Sequence, residues 1–455
     1  MPGPSIRSRV ARALWPALAA WVVGAQAASV CDDPTSTPPP QPPGWQATQR
    51  LSSASSGPVT TVEPALATNA GGAIVVAWHA TQPRPGTQPP VYENRPYVAR
   101  LPSCPLTVKA LEPTVSVWQL PDAPVVLAID AQGRAMAVWR HDLDGVSAGL
   151  MASETAPGVD WSAGTMVAGG LGDRPVVYRL GMAADGHAFL AWTDMDKGLR
   201  VQRRLPAGGW TFPTLIEGPS VYANTFALAV SSGGSAFVQW NRDKLAPDRS
   251  FVRRYANGAW SPVRELPASH NQPGRLAVNA AGRALVASWG WGMGEIPIVT
   301  TFDPVTGWGP DVTVPSFERP LALALDDAGR AVMVGGPLGN GIAAVRRPDG
   351  AWRAPVVMGG IADWPKLHHD GVLDVGIDGL GRALVVWHEA NVIWARHHRG
   401  ECSGLTLNCG WGPATALSTG PVAAVGRPRV AVWADGRAVV VWRQGSDVYL
   451  RRYQP

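Results

Sequence analysis

The chain of 455 residues carries little charge, few cysteines and few aromatic residues apart from tryptophan. Charged residues make up 16% of it, and 4 Cys, 7 Phe and 7 Tyr accompany 21 Trp. Neither a lysine-rich run nor a helical apolar periodicity occurs, which argues against nucleic-acid binding and against an α-solenoid. The 51 Gly and 43 Pro indicate many turns between short strands, and the excess of tryptophan indicates a repeated structural role.

The N-terminus has the features of a secretory signal peptide. Arginines at positions 7, 9 and 12 precede an apolar run over 13–24 and the small-x-small site Ala25-Gln26-Ala27. We predict a signal peptide over 1–27, a proline-rich arm over 28–43 and a secreted or periplasmic protein. A membrane anchor is the weaker alternative because the run is short for a span, so no span is expected after signal removal.

The predicted export affects how the net charge and the cysteines are interpreted. Without the three arginines the formal charge of +5 falls to +2, which gives no support for nucleic-acid binding. Four cysteines in an oxidising compartment predict two disulfides. Cys402 and Cys409 flank one short loop, which leaves Cys31 and Cys104 for each other. A metal site is the alternative, but no CxxC spacing occurs.

One stretch, DAQGRAMAVW from Asp130, recurs with substitutions throughout the chain. Its eight copies begin at Asn69, Asp130, Ala183, Ser231, Asn279, Asp326, Asp378 and Trp433. The first residue of a D-x-x-G turn can accept hydrogen bonds from the following backbone, and the glycine accepts a positive φ. A strand precedes the turn, a second ends in tryptophan, a third follows a variable loop, and a fourth begins near a Gly-Trp pair.

Four short strands recurring at this spacing predict a β-propeller blade. Trp139, Trp192, Trp240 and Trp289 are spaced 53, 48 and 49 residues apart. The eighth unit stops after its third strand, while the segment 44–52, GWQATQRLS, resembles the fourth strand that this unit lacks. A ring must close to remove exposed edges. We therefore predict an all-β, eight-bladed β-propeller over 44–455, with four antiparallel strands per blade and the last blade closed by the N-terminal strand.

Closure would also bring the Cys31–Cys104 disulfide to the seam of the ring. The motif tryptophans are expected to pack between adjacent sheets. This interpretation covers Trp139, Trp192, Trp240, Trp289, Trp387 and Trp442. Sugar stacking is better sought among Trp291, Trp364, Trp394 and Trp433, although packing is the favoured role there too.

The loops that follow the second strands carry most of the clustered polar residues, and variable loops on a repeated scaffold are where function is usually placed. The candidate ligand-binding residues are Arg140, Asp142, Asp144, Asp194, Asp196, Arg242, Asp243, Trp291, His388 and Glu389.

Metal binding at these loops is not favoured. The two aspartate pairs could bind calcium, but neither belongs to a full twelve-residue calcium loop, and solvated turns are the preferred interpretation. His388, Glu389, His397 and His398 could hold zinc, but adjacent strand residues point to opposite faces. We predict no metal and no cofactor.

The D-x-x-G-x-A-x-x-x-W repeat resembles the short tryptophan-bearing repeats of bacterial secreted propellers, including the sialidase-like superfamily, over about 44–455. The resemblance implies the propeller fold. Sialidases carry S-x-D-x-G-x-x-W turns and an F-R-I-P segment, and neither occurs here, so their catalytic residues cannot be carried over.

Serine-nucleophile and phosphate-loop motifs are absent. We expect an exported, non-catalytic, monomeric module that binds glycans or an envelope protein. The alternative is a polysaccharide hydrolase or lyase using Asp142, Asp194, Asp243 and Glu389, and a third option is a purely structural envelope component.

Overall fold

A ring of eight small antiparallel sheets makes up the described part of the chain. The computed structural model describes residues 43–52, 64–83, 92–102, 106–111, 124–143, 147–171, 177–194, 197–219, 221–242, 249–266, 274–289, 296–317, 319–336, 340–360, 373–389, 391–400, 410–418 and 427–455. Within these ranges every regular element is a β-strand. They contain no helix with the length and apolar character that a membrane crossing requires.

The first four blades follow one another along the chain after two short N-terminal strands, β1 (Gly44–Trp45) and β2 (Gln49–Arg50). Blade 1 consists of β3 (Ala65–Thr68), β4 (Ile74–Pro83), β5 (Tyr92–Leu101) and β6 (Val108–Ala110). Blade 2 consists of β7 (Val126–Ile129), β8 (Ala135–Leu143), β9 (Ser147–Thr155) and β10 (Thr165–Ala168). Blade 3 consists of β11 (Tyr178–Met182), β12 (Ala188–Asp194), β13 (Gly198–Arg204) and β14 (Thr214–Glu217). Blade 4 consists of β15 (Val221–Val230), β16 (Ala236–Arg242), β17 (Arg249–Ala256), β18 (Ala259–Trp260) and β19 (Arg264–Leu266).

The remaining blades repeat the same order. Blade 5 consists of β20 (Arg275–Val278), β21 (Ala284–Ser288), β22 (Ile298–Asp303) and β23 (Gly307–Thr313). Blade 6 consists of β24 (Pro320–Leu325), β25 (Ala331–Gly335), β26 (Asn340–Arg346) and β27 (Val356–Gly360). Blade 7 consists of β28 (Leu373–Ile377), β29 (Ala383–Glu389), β30 (Val392–His398) and β31 (Trp411–Ala416). Blade 8 consists of β32 (Arg429–Val432), β33 (Ala438–Gln444) and β34 (Asp447–Gln454).

The N-terminal strands complete blade 8, which confirms the predicted closure. β1 and β2 both pair with β34, with Gly44 opposite Gln454. The seam is fixed by side chains as well: Ser52 Oγ donates to Asp447 at 2.6 Å. Trp45 packs against Tyr453 with 5.2 Å between ring centroids. The eight-bladed architecture with four antiparallel strands per blade is therefore as the repeat predicts.

The turns between the first and second strands of the blades lie at one end of the ring, called here the turn face. The loops between second and third strands lie at the opposite end, the loop face. In blade 2, Asp130 Oδ1 accepts the backbone N–H of Arg134 at 2.8 Å, and Gly133 has φ +81°. The structure thus confirms the predicted turn chemistry, in which the acid caps the backbone and the glycine takes a left-handed conformation.

The same turns link each blade to the next, through two alternative contacts. Where the first residue is Asp, it holds the arginine four residues later, and that arginine crosses to a backbone carbonyl of the next blade. Arg134, for example, donates to Asp130 Oδ2 at 2.5 Å and to the Asp185 carbonyl at 2.8 Å. Where the first residue is Asn, its own amide crosses: Asn279 Nδ2 donates to the Asp326 carbonyl at 3.0 Å.

The motif tryptophans are buried, as expected, and the burial of Trp433 agrees with the packing role favoured for it. Blade 5 has an extra residue in its copy, so Ser288 takes the tryptophan's place in the register and Trp289 follows it, still buried. Trp433, a candidate for sugar stacking, is buried on the turn face. It donates from Nε1 to the Asn69 carbonyl at 2.6 Å. In blade 6 the equivalent place is held by Gly335.

The innermost strands set the width of a central channel. Two residues before each turn, every blade has alanine or glycine: Ala67, Ala128, Gly181, Ala229, Ala277, Ala324, Gly376 and Ala431. A Cβ on Gly376 would lie 2.6 Å from Cγ2 of Val432 in the next blade, so neighbouring strands approach too closely for larger side chains. The inner strands of blades 4 to 8 line a cavity of about 430 Å³.

Candidate functional site

The candidate site is the end of the channel that lies towards the loop face. In each blade, the residue four places before the first residue of the turn lies at this end of the channel. We call these eight residues the mouth positions. They are Ala65, Val126, Arg179, Ala227, Arg275, Ala322, Asp374 and Arg429. Three arginines and one aspartate therefore stand in a ring that is otherwise apolar, and Asp374 is the one carboxylate on the described inner strands.

The Asp374 carboxylate lies across the junction between blades 7 and 8. Its Oδ2 accepts the backbone N–H of Val430 on the neighbouring inner strand at 3.0 Å, and its Oδ1 accepts that of Val375 at 2.9 Å. Arg429 Nη1 lies 4.0 Å from the same Oδ2. Burial raises the pKa of Asp374 to about 7, against the opposing effect of the two N–H donors. Burial also lowers the pKa of Arg429 to about 10, which leaves it charged at neutral pH.

Blades 3 to 5, which include the blade opposite blade 7, present a basic and polar arc. Arg179 donates to the Tyr178 carbonyl at 3.0 Å, and its guanidinium lies 5.9 Å from the ring centre of Phe226 in blade 4. Gln239, on the second strand of blade 4, pairs in register with the mouth residue Ala227 and is 1% exposed. Within the described ranges, neither Oε1 nor Nε2 of Gln239 has a hydrogen-bond partner.

The residues predicted from the sequence are spread around the ring rather than gathered at this level. Arg140 is buried in blade 2, and its backbone N–H donates to Tyr178 Oη at 3.1 Å. Arg242 in blade 4 pairs with Glu217 at 2.6 Å. In blade 7, His388 is half-buried and Glu389 accepts the indole N–H of Trp387 at 3.0 Å. These positions are compatible with ligand contacts from the loop face, and the binding role of each stays a prediction.

The other predicted residues fall at or beyond the limits of the described ranges. Asp142 lies in β8 and Asp194 ends β12, both at the loop face. Further members of the predicted set lie outside the described residues: Asp144, Asp196, Asp243 and Trp291, together with Trp364, the four cysteines, the signal peptide and nearly all of the proline-rich arm. The predicted disulfides and signal-peptide processing therefore remain predictions, as does the absence of calcium from the aspartate pairs.

The histidines considered for zinc have other contacts. His397 lies 4.2 Å from the ring centre of Tyr453, and His398 is buried 5.0 Å from that of Trp411. Burial lowers the pKa of His397 to about 4. Across the described ranges, no three His, Cys, Asp or Glu side chains come together in a way that could hold a metal ion.

The candidates predicted from the sequence come from the loops after the second strands and include none of the mouth residues. A signal was available: when the eight copies are aligned on their turns, four of the mouth positions are charged among apolar equivalents. Gln239 stands where the other second strands carry alanine or valine, at Ala77, Val138, Ala191, Ala287, Val334, Val386 and Val441. Only the register between strands shows that these two irregularities occur at the same height in the channel.

Comparison with known proteins assigns no family to the chain. No family model and no curated protein matches the sequence. Among solved structures it is similar to the lectin BP39L from Burkholderia pseudomallei, with 11% identity, 79% of this chain and 100% of that chain covered, and a TM-score of 0.49.

Two further neighbours have enzyme names. Virginiamycin B lyase from Staphylococcus aureus has 12% identity, covers 73% of this chain and 95% of its own, and gives a TM-score of 0.42. The Hadza microbial sialidase Hz136 has 11% identity, covers 72% of this chain and 63% of its own, and gives a TM-score of 0.37. At these identities the similarity concerns the fold.

Proposed function

We propose that the chain is an exported, non-catalytic β-propeller that binds a glycan at the loop-face mouth of its channel. Export follows from the signal-like segment 1–27. The observation that carries the binding role is the composition of the mouth: three of its eight positions are arginines, a buried glutamine lies in register with a fourth, and its one carboxylate accepts the Val430 N–H and lies 4.0 Å from Arg429. Such a surface offers hydrogen-bond donors to a polar ligand, and its described inner strands have a single carboxylate.

Hydrolysis of a glycosidic bond ordinarily needs two carboxyl groups about 5–10 Å apart on either side of the bond. Asp374 has no carboxylate companion on the described inner strands. Glu389, one of the acids considered for the enzyme alternative, accepts a hydrogen bond from Trp387. A binding module therefore fits the described residues better than a glycosidase does.

The test is a glycan array probed with the mature protein, beginning at residue 28, followed by turnover assays on every glycan that binds. We expect binding without product formation. Arg275→Gln, at the mouth, should weaken binding, whereas Arg283→Gln should not. Arg283 is the matched control because it lies on the turn face, where it pairs with Asp303 at 2.8 Å. Product formation, or equal binding by both variants, would contradict the proposal.

A further inference from the structure

The junction between blades 7 and 8 contains an internal carboxylate together with the groups that bind it. Asp374 projects from the mouth position of blade 7 onto the inner edge of blade 8. There the Val430 N–H donates to it, and the guanidinium of Arg429, the mouth residue of blade 8, approaches within 4.0 Å. A backbone N–H and an adjacent arginine on the inner strand of one blade thus receive a carboxylate supplied by the blade before it.

The junction between blades 4 and 5 repeats those receiving groups. Arg275 is the mouth residue of blade 5, and Leu276 occupies the register of Val430. N–H directions alternate along an extended strand. The Asn279 N–H points into its own turn, towards the Arg283 carbonyl, so the Leu276 N–H three residues earlier points into the channel. The residue that would supply the carboxylate from blade 4 is Ala227, which has only a methyl group.

The same junction contains a buried polar side chain that has no hydrogen-bond partner among the described residues. Gln239 has an amide without hydrogen bonds at either terminal atom. It fits only because blade 5 has Gly274 opposite it: a Cβ there would lie 1.8 Å from Gln239 Nε2. A buried unpaired amide is unfavourable for stability. A polar ligand atom at this junction would give the Gln239 amide a partner.

We propose that the junction between blades 4 and 5 binds the carboxylate of a ligand, in the position that Asp374 occupies between blades 7 and 8. The Leu276 N–H and the Arg275 guanidinium would receive the carboxylate oxygens, and the Gln239 amide would lie beside them. Combined with the proposed function, on which this identification rests, the ligand class is an acidic glycan that carries a carboxylate, and a uronic acid is the probe used to test it. Charge-assisted hydrogen bonds of this kind distinguish strongly between an acid and its neutral counterpart.

The first experiment measures binding by calorimetry to three matched probes: D-galacturonate, its methyl ester and D-galactose. We expect the acid to bind at least about tenfold more tightly than the other two, as expected when a charged hydrogen-bonding group is removed. Arg275→Gln should remove this preference, and Arg283→Gln should leave it unchanged. Equal affinity for acid and ester in the wild type would overturn the inference.

Two substitutions test the equivalence of the junctions directly. Ala227→Asp places a carboxylate where blade 7 has Asp374, and should compete with the ligand and abolish the preference for the acid. Asp374→Ala removes the internal carboxylate, and acetate should then raise the Tm of the variant more than that of the wild type. A preference that survives Ala227→Asp, in a protein with an unchanged circular dichroism spectrum, would refute the proposed position of the carboxylate.

The outcomes separate this inference from the proposed function. If neutral glycans bind as well as acidic ones, the binding module stands and the carboxylate site fails. If acetate stabilises Asp374→Ala and galacturonate binds, but no oligosaccharide on the array does, the carboxylate site stands and the glycan proposal fails.

Discussion

Replacing Asp378 by alanine should destabilise the ring at the junction between blades 7 and 8. The carboxylate is buried at the first position of its turn. Its Oδ1 accepts the backbone N–H of Leu380 at 2.9 Å and that of Arg382 at 2.8 Å. Its Oδ2 accepts Nε of Arg382 at 2.5 Å, and the same guanidinium donates to the Asp435 carbonyl of blade 8 at 2.9 Å.

The magnitude follows from what the alanine would leave behind. Removing one member of a buried ion pair costs about 3–5 kcal/mol because the other charge loses its partner. Since the Arg382 side chain is 35% exposed and can turn towards water, we expect the lower end, about 3 kcal/mol in the free energy of unfolding. A matched control is Asp435→Ala, whose side chain is 52% exposed and pairs with Arg437. It should cost less than about 1 kcal/mol.

Asp378→Asn provides the sharper comparison, because other blades already use asparagine at this position. Asn69 and Asn279 cap their own turns and donate to the next blade from the side-chain amide. The introduced amide should cap the turn in the same way and donate to the Trp433 carbonyl. We therefore expect a loss of only about 1 kcal/mol, the usual value of one hydrogen bond.

The assay is equilibrium unfolding of the mature protein in urea, followed by both tryptophan fluorescence and circular dichroism. Coincident transitions would justify a two-state free energy. Equal losses for Asp378→Ala and Asp378→Asn would refute the idea that the two turn types are interchangeable contacts between blades. A loss below about 1 kcal/mol for the alanine variant would show that the arginine link contributes little.

Three further predictions concern the scaffold. Burial lowers the pKa of His79 to about 4. The stability that the neutral imidazole contributes is therefore complete above pH 6.5 and falls by about 3 kcal/mol as the pH drops towards 4. His79→Gln should flatten that part of the pH–stability curve, and an unchanged slope would contradict the assignment. Trp45→Ala should weaken the seam of the ring by about 2 kcal/mol, since the ring is half-buried, and a lower Tm with faster proteolysis near the N-terminus would show it. Gly376→Ala should cost about 1–3 kcal/mol through overpacking, and Val432→Ala in the same chain should recover part of that loss in a double-mutant cycle.

Much of the fold could be predicted from the sequence because propeller blades are local. Each blade except blade 8 is one chain segment with short turns, so strand period, turn residues and the Gly-Trp pair can be recognised without long-range information. The number of blades followed from the count of copies, and the closure followed from the single incomplete unit. Trp289 is buried as expected, but one inserted residue moved it by one place, and only strand pairing shows that Ser288 took its register.

The mouth of the channel could not be derived in the same way. Its residues come from eight strands that are far apart in sequence, and each lies in a short apolar run where a single charged residue looks incidental. Arg275 stands out only together with Ala227 and Gln239 of the preceding blade. That these three residues lie at the same height follows from the strand registers on the two sides of a blade junction.

The sequence by itself determined the class of fold and the chemistry of the turns, because these depend on interactions between residues close together in the chain. It also indicated the closure of the ring, because the last unit lacks the fourth strand that the N-terminal segment resembles. The tertiary structure alone decided which charged and polar side chains meet at the mouth of the channel. Closing the ring brings eight inner strands to one axis, and the small residues beside that axis set how closely the strands approach.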